Sequence, residues 1–238
     1  MFKINAGAME LTVIIPTFNE EKNIGRLLDW LHQTSTEAVK ELIVVDGGST
    51  DKTVALAQKH GGKVLVNHKK GRATQMNFGA TNTNAEVLYF LHADVFPPHS
   101  WASDIIHAVK NGKTAGCFSY RFDSHKWYLK IHEFGTRKKN FATGGGDQSL
   151  FVTREIFELL GGFKEHLCIL EDFEFVKRLQ KKYPFEIICK DATVSARKYE
   201  HNNYLKVQCI NFTTVFLFLL GFPQERLAKI YRSLLKIR

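Results

Sequence analysis

The sequence predicts an α/β protein with a wound, mostly parallel sheet and a helical C-terminal end. Three observations support this fold class. Apolar runs alternate with segments of helical periodicity through the first hundred residues. Residues 170–183 and the apolar stretch at 212–222 have the character of helices. No internal repeat or linker divides the 238 residues, so we expect a single domain.

Four apolar runs are the predicted strands of the first half. They cover residues 11–15, 42–45, 64–66 and 87–91. Segments with helical spacing separate these runs. The first covers residues 23–31, the second is capped by Ser49 or Thr50 and stops at residues 61–62, and the third covers residues 72–81. Such alternation builds parallel strands that are joined by crossover helices.

The second half of the chain has a looser pattern. Residues 101–109 and 154–160 predict helices, and residues 115–122 predict a strand. The run TGGGDQSLF predicts a flexible glycine segment that leads into a short strand. Residues 126–139 are basic and aromatic and present no clear helical face.

The residues after the four predicted strands would share one rim of the sheet. Ligands of wound sheets bind in the crevice outside the carboxyl ends of the strands. A role in a turn would account for a polar residue at any one of these strand ends, but it accounts less well for polar residues at all four. The rim residues are Thr17, Phe18, Asn19, Glu20, Asp46, Arg72 and Asp94.

Asp94 follows a strand that ends shortly before Pro97 and Pro98, so it is either a turn residue or a functional group. Mg²⁺ and Mn²⁺ need only one or two carboxylates when a diphosphate completes the coordination shell. Asp94 is therefore a candidate ligand for either ion. His92 is a second ligand, a nucleotide contact, or a buried histidine with a satisfied hydrogen bond.

Asp46 has two interpretations. Gly47 and Gly48 favour a turn or cap aspartate, whereas a strand-end carboxylate could also accept a hydrogen bond from a base or ribose. The loop GGSTDKT lacks the lysine spacing of a P-loop, and the sequence has no GxGxxG after a strand and no GxSxG. Without these motifs, the remaining nucleotide-binding designs on a wound sheet hold the nucleotide with strand-end side chains and a metal.

Asp172 lies on the apolar face of the predicted helix at 170–183. At about 100° per residue, Val176, Leu179 and Tyr183 fall within about 40° of it, and Glu171 lies at the edge of the face. A carboxylate that faces a core is costly unless it is hydrogen-bonded or lines a cleft. Asp172 is therefore a candidate general base, and the alternative is a capping residue in the first helical turn.

The formal net charge of +9 is compatible with nucleic acid, anionic lipid or a phosphate-rich substrate. No RNA-binding, zinc-finger or helix-turn-helix signature is present, so we expect no nucleic-acid partner. The four cysteines form no CxxC pair, which favours reduced thiols in a cytoplasmic protein. The N-terminus lacks the apolar core of a signal peptide, which agrees with this location.

The apolar stretch at 212–222 is shorter than the roughly 20 residues that span a bilayer. We expect a buried helix. The alternative is an interfacial helix, which would give the protein a peripheral contact with the cytoplasmic face of a membrane.

Four motifs, in order, resemble the family 2 glycosyltransferases of the A-type fold. They are VIIPTFNEEKNI at 13–24, VVDGGSTDKT at 44–53, HAD at 92–94 and LED at 170–172. The match runs from about residue 11 to residue 183. GRATQMNFGA, LHADV, GGGDQSLF and GGF more narrowly resemble the small bacterial subfamily of radical-SAM/selenodomain-associated transferases.

The resemblance implies an inverting transfer of a sugar from a nucleotide-sugar donor, assisted by a divalent metal. It implies that Asp172 is the catalytic base of a pair with Glu171, and that Asp94 binds the metal. His92 replaces the first aspartate of the family's DxD motif. The residues implied around the nucleotide are Pro16, Phe18, Glu20, Asp46, Arg72 and Ala93. Three further residues resemble subfamily positions without an assigned role, namely Asp147, Gln148 and Arg197.

The resemblance also divides the domain. Residues 11–100 would bind the nucleotide, residues 101–200 would hold the acceptor and catalytic groups, and residues 201–238 would form C-terminal helices. The acceptor is an unknown sugar, lipid or small molecule. A sugar-nucleotide nucleotidyltransferase is the second candidate, although it would need an Arg-bearing, Gly-rich loop where this chain has PTFNEEKN. A non-catalytic protein that binds nucleotide or membrane is the third.

Overall fold

The computed structural model describes residues 9–138 and 149–235. The strands are β1 (Leu11–Thr17), β2 (Val39–Asp46), β3 (Lys63–Val66), β4 (Val87–Phe90), β5 (Val95–Phe96), β6 (Ala115–Phe122), β7 (Leu150–Thr153) and β8 (Glu186–Val194). The helices are α1 (Ile24–Thr34), α2 (Thr53–Lys59), α3 (Arg72–Thr81), α4 (Trp101–Lys110), α5 (Trp127–Gly135), α6 (Arg154–Leu159), α7 (Glu171–Gln180), α8 (Tyr204–Leu219) and α9 (Gln224–Leu234).

The strands form one sheet in the order β3-β2-β1-β4-β7-β6-β8-β5. The half that contains β3, β2, β1 and β4 is entirely parallel. In the other half, β7 runs antiparallel to both β4 and β6, β8 runs parallel to β6, and β5 is antiparallel to β8. The wound, mostly parallel α/β sheet and the helical C-terminal end are as predicted.

The sheet is buried on both faces, which explains why its central strands are continuous apolar runs. Every residue of β1 is buried. Val13 and Ile15 point into one hydrophobic cluster and Ile14 into the other, as the two-residue period of a strand requires. This double cover leaves the ends of the strands as the place where polar side chains can gather.

The predictions for α3 and β6 are confirmed to the residue, but the predicted cap of α2 is wrong. That helix begins at Thr53 and has no side-chain cap hydrogen bond from Lys52 before it. The Ser49 hydroxyl donates instead to Asp46 Oδ1 at 2.5 Å and accepts from the Asn19 backbone N–H at 2.8 Å. The side chain of Ser49 is therefore used to join two loops rather than to start a helix.

Strands β5 and β8 were not predicted. β8 combines apolar positions with Lys190 and Asp191, and its register with β6 shifts after Phe118, so its sequence shows no clean alternation. Val95 pairs with Val194 in the short stretch before the prolines. This pairing brings the segment that follows β8 to the rim at Asp94.

Helix α5 forms within the segment that showed no helical face, with Leu129 buried. The predicted buried helix at the C-terminal end is only partly buried. In α8 the side chains of Val207 and Ile210 face the core, whereas Phe212 and Phe216 are exposed. Among the described residues, no helix is long and apolar enough to cross a membrane.

Candidate active site

The loops after β1 and β2 are joined by hydrogen bonds at the rim. The Thr50 backbone N–H donates to Asn19 Oδ1 at 2.9 Å, and the Glu20 backbone N–H donates to Thr53 Oγ1 at 2.8 Å. Asn19 has a φ of 54°, a left-handed conformation that Asn tolerates better than most residues. These bonds fix the start of the segment that carries Glu20.

Asp46 is buried and its carboxylate is used within its own loop. Oδ2 accepts from the backbone N–H groups of Gly48 and Ser49, each at 2.9 Å, and Oδ1 accepts from the Ser49 hydroxyl. This geometry supports the turn interpretation of Asp46. The contact with a base or ribose stays a prediction.

Gln75 is a rim residue that the sequence did not indicate. Its Nε2 donates to the backbone carbonyls of Thr17 at 2.8 Å and Val45 at 2.7 Å, and its side chain is buried. It therefore anchors α3 beneath the ends of β1 and β2. A glutamine inside a predicted helix gives no sequence signal, because its partners are backbone atoms of distant strands.

Arg197 connects the two halves of the site. Its Nη2 lies 3.1 Å from Glu20 Oε1 and 3.0 Å from Asp94 Oδ2. It occupies a single 3₁₀ turn, Arg197–Tyr199, that follows β8. The Ser195 backbone N–H donates to the Asp94 carbonyl at 3.3 Å, which fixes this turn beside Asp94. Two predicted site residues that lie far apart in the chain, Glu20 and Asp94, therefore converge on the guanidinium of a third, Arg197.

His92 and Asp172 face each other across the rim, with His92 Nε2 3.5 Å from Asp172 Oδ2. Both side chains are largely buried. Burial lowers the pKa of His92, but the hydrogen bond and charge of Asp172, with the charge of Asp94, outweigh this and leave the pKa raised. Arg72 acts in the opposite direction on the same imidazole. His92 is thus electrostatically linked to the predicted base, the predicted metal ligand and the predicted nucleotide contact.

Glu171 is deeply buried, at 3% exposure, and among the acids of the site only Asp46, at 2%, is less exposed. Burial raises its pKa, the Arg72 charge partly opposes this, and the nearby charge of Asp172 raises it further. Arg72 Nη1 lies 3.5 Å from Glu171 Oε1, and that oxygen accepts no hydrogen bond from the described residues. The Glu171 carboxyl is therefore a desolvated acid held beside a cation.

The first turn of α7 presents both acids to the rim. Leu170 precedes it in a left-handed conformation with a φ of 62°, which is costly for a leucine. Phe175 and Val176, further along the helix, pack in the core. Leu170 is the N-cap and, within the described residues, makes no side-chain capping bond, so Asp172 is not the cap of this helix. The turn is held in place by core packing, which also maintains the strained backbone of Leu170.

The remaining predicted residues fall into three groups. Pro16 and Ala93 are buried beside the rim, so only their surfaces or backbone could meet a ligand. Phe18 is 59% exposed and could stack on one. Asp147 and Gln148 lie outside the described residues.

The donor atoms at Asp94 fit a shared metal ion. No group of three or more His, Cys, Asp or Glu side chains in ranges 9–138 and 149–235 is arranged to hold a metal. Mg²⁺ and Mn²⁺, however, are commonly held by one or two carboxylates together with substrate phosphates. The Asp94 carboxylate is partly exposed at the rim and has the required oxygen chemistry. It therefore suits an ion that a bound diphosphate also coordinates.

Fold and site together define a protein of the nucleotide-diphospho-sugar transferase type, with a wound sheet whose rim gathers carboxylates and arginines. The chain belongs to glycosyl transferase family 2, whose sequence profile matches residues 12–161. This confirms the family that the motifs indicated, whereas the narrower subfamily stays a prediction.

One curated relative is the O-antigen chain rhamnosyltransferase WbaN of Salmonella anatum, which is 28% identical over 218 residues. The alignment covers 80% of this chain and 66% of WbaN. The glycosyltransferase AglE of Haloferax volcanii is 27% identical, over 71% of this chain and 60% of its own length. This chain therefore spans less than two thirds of either relative.

Solved structures share the fold. TarS of S. aureus in complex with UDP superposes with a TM-score of 0.67 at 18% identity, over 79% of this chain and 61% of TarS. Glucosyl-3-phosphoglycerate synthase of Mycobacterium tuberculosis, in complex with Mn²⁺, UDP and glucosyl-3-phosphoglycerate, gives a TM-score of 0.62 at 18% identity. That match covers 90% of this chain and 80% of the synthase.

Proposed function

We propose that this chain is an inverting glycosyltransferase, which transfers a sugar from a nucleotide-sugar donor to an acceptor hydroxyl with the help of Mn²⁺ or Mg²⁺. The observation that carries the proposal is the convergence of Glu20, Asp94 and Asp172 on one rim of the sheet, linked through Arg197 and His92. Family membership and the UDP and Mn²⁺ complexes of similar structures support it.

The donor would lie across the ends of β1, β2 and β4. Phe18 is exposed for stacking on the base, and Arg72 and Arg197 supply positive charge for the diphosphate. Asp94 would hold the metal, which when bound neutralises charge on the diphosphate. Donor binding would account for this cluster of arginines and carboxylates, whose partly exposed ion pairs would add little to the stability of the fold.

Asp172 would act as the base. Its carboxylate accepts the proton of the acceptor hydroxyl while the hydroxyl oxygen attacks the anomeric carbon from the face opposite the leaving group. The new carbon–oxygen bond forms as the bond to the diphosphate breaks, and the nucleoside diphosphate departs with the bonding electron pair. His92 holds the Asp172 carboxylate towards the rim. Positioning of donor and acceptor contributes the rest of the rate.

The acceptor is a hydroxyl of a sugar, a lipid or a small molecule, and we place the reaction in the cytoplasm with a peripheral contact at the membrane surface. The names of similar proteins span this range, from an O-antigen rhamnosyltransferase to a dolichol-phosphate mannosyltransferase and a glucosyl-3-phosphoglycerate synthase. Within the family, we assign the chain to the radical-SAM/selenodomain-associated subfamily on the motifs given above.

The test begins with thermal denaturation in a panel of nucleoside diphosphates and nucleotide-sugars, with and without Mn²⁺. A ligand at about 100 times its Kd should add about 2.7 kcal/mol to the free energy of unfolding. With the donor identified, Asp172→Asn should retain donor binding and lose transfer by roughly 10²- to 10⁴-fold. Full transfer by this variant would remove Asp172 from the mechanism. Binding of nucleotide without turnover of any donor would favour the non-catalytic alternative.

A further inference from the structure

Helix α8 carries an apolar face that residues 9–138 and 149–235, the part of the chain that the structure describes, leave uncovered. Its exposed side chains fall at positions whose spacing places them on one side of the helix, within an arc of about 100°. They are Leu205, Phe212, Phe216 and Leu219, with Leu220 directly after the helix, and they are 53% to 74% exposed. Val207, Ile210 and Thr214 lie on the opposite side and are buried. The helix is therefore apolar on both sides but packed on only one.

A neighbouring helix has the same character. Trp127, Ile131 and Phe134 follow one another at helical spacing along α5 and are 65% to 72% exposed. The two helices touch, because the Tyr128 and Tyr204 ring centroids lie 5.1 Å apart. Exposed apolar residues that recur on two adjoining helices form an interaction surface rather than scattered exceptions.

The net charge of the two helices and of α9, which packs against α8, indicates the occupant of this surface. Helices α5, α8 and α9 together contain five Lys or Arg residues and two Glu, a net of +3. All five basic side chains are exposed, namely Lys130, Lys206, Arg226, Lys229 and Arg232. A second copy of this chain would bring the same positive charges to the same face. An anionic bilayer instead accepts the apolar side chains and attracts the positive charge of these helices.

We propose that the exposed face of α8, with the adjoining face of α5, docks on an anionic phospholipid surface. α8 has 16 residues, which suits a helix lying in the plane of the headgroups rather than crossing the bilayer. Trp127 has the amphipathic ring that is favoured at the lipid–water boundary. This inference deepens the membrane contact of the proposed function and rests on it, although its test requires neither donor nor acceptor.

The test is co-sedimentation of the whole chain with vesicles of phosphatidylcholine alone, or of equal parts phosphatidylcholine and phosphatidylglycerol. We expect the protein to pellet with the anionic vesicles at low salt and to be released at high salt. Replacing Phe212 and Phe216 together by Ser should lower the partition coefficient by roughly 10²-fold, because two aromatic side chains no longer enter the bilayer. The double variant Arg226→Gln and Lys229→Gln should bind the anionic vesicles more weakly and should bind the phosphatidylcholine vesicles as the wild type does.

Leu159→Ser provides the matched control, since Leu159 is 68% exposed on α6 and should leave vesicle binding unchanged. Thermal denaturation verifies that each variant is folded, and nucleotide binding reports separately on the active site. Failure of the wild-type protein to bind either vesicle would overturn the proposal, as would wild-type binding by the double Phe variant. If the protein forms a dimer that Phe212→Ser dissociates, the face is a dimer interface and the membrane proposal is wrong.

Discussion

Arg197 Nη2 lies 3.0 Å from Asp94 Oδ2, although the two residues are separated by about a hundred positions in the chain. The same guanidinium lies 3.1 Å from Glu20, so one cation neutralises two acids of the rim. A bound diphosphate could accept hydrogen bonds from this guanidinium and share Asp94 with a metal ion.

Arg197→Gln should weaken binding of the nucleoside diphosphate by roughly 10- to 100-fold, because hydrogen bonds from a charged donor contribute about 1.5–3 kcal/mol. Titration calorimetry measures the change. Lys63→Gln is the control, since Lys63 forms an exposed pair with Glu41 at the start of β3. Equal affinities for the wild-type protein and the Arg197 variant would restrict Arg197 to a structural role.

His92→Asp should strengthen Mn²⁺ binding in the presence of nucleoside diphosphate and reduce sugar transfer. The change places a second carboxylate two positions before Asp94, which favours the metal, and puts a like charge opposite Asp172, which disturbs the base. Metal titration followed by calorimetry, together with a transfer assay, separates the two effects. An unchanged Mn²⁺ affinity would mean that the metal does not bind at this end of β4.

Glu171→Gln should stabilise the protein at pH 7. Burial raises the pKa of Glu171 in the folded state, so the stability linked to this group is fully present below its unfolded pKa of about 4.3 and is lost as the pH rises through the folded value. The variant should therefore gain stability over the wild-type protein at neutral pH and lose this advantage below about pH 4. Urea unfolding at both pH values measures it.

Glu174 lies in the same helical turn and serves as the matched control, because its pKa is shifted in the opposite direction. Burial raises its pKa, but hydrogen bonds from Arg178 and Lys164 outweigh this and lower it. Its stabilisation is present above about pH 4.3 and is lost as the pH falls. Glu174→Gln should cost about 0.5–1 kcal/mol at pH 7, after allowance for solvent screening. The same sign of change in both glutamine variants would contradict this account of α7.

Much of the fold could be predicted because its parallel half follows simple physical rules. Strands buried on both faces must be apolar throughout, and crossover helices must be amphipathic, so β1 to β4 and α1 to α3 are visible in the sequence. Strand β8 was missed because its polar positions and its register shift are set by its neighbours in the sheet. For α8 the sequence left a buried helix and an interfacial helix open, because an apolar sequence does not reveal which side of a helix is packed.

The gathering of the candidate site residues at the rim was predictable where a rule of the fold applied. Strand ends and the apolar face of a helix indicated Glu20, Asp94 and Asp172 before any contact was known. Their pairing through Arg197 and His92 could not be predicted, because it depends on how β8 and α7 pack against the rim. Gln75 gave no signal, since a buried glutamine that bonds to backbone carbonyls resembles any helical glutamine.

The rim should bind the diphosphate of a nucleotide-sugar together with a divalent ion at Asp94. Titration calorimetry of the wild-type protein and Asp94→Asn, with the nucleoside diphosphate selected by thermal denaturation and with or without Mn²⁺, measures this binding. Asp29→Asn is the control, because Asp29 lies on α1 in an exposed pair with His60. We predict that Mn²⁺ tightens nucleotide binding in the wild type and in Asp29→Asn but not in Asp94→Asn, with all three proteins folded. Equal Mn²⁺-linked affinity in all three would contradict the account and leave Asp94 as a turn residue.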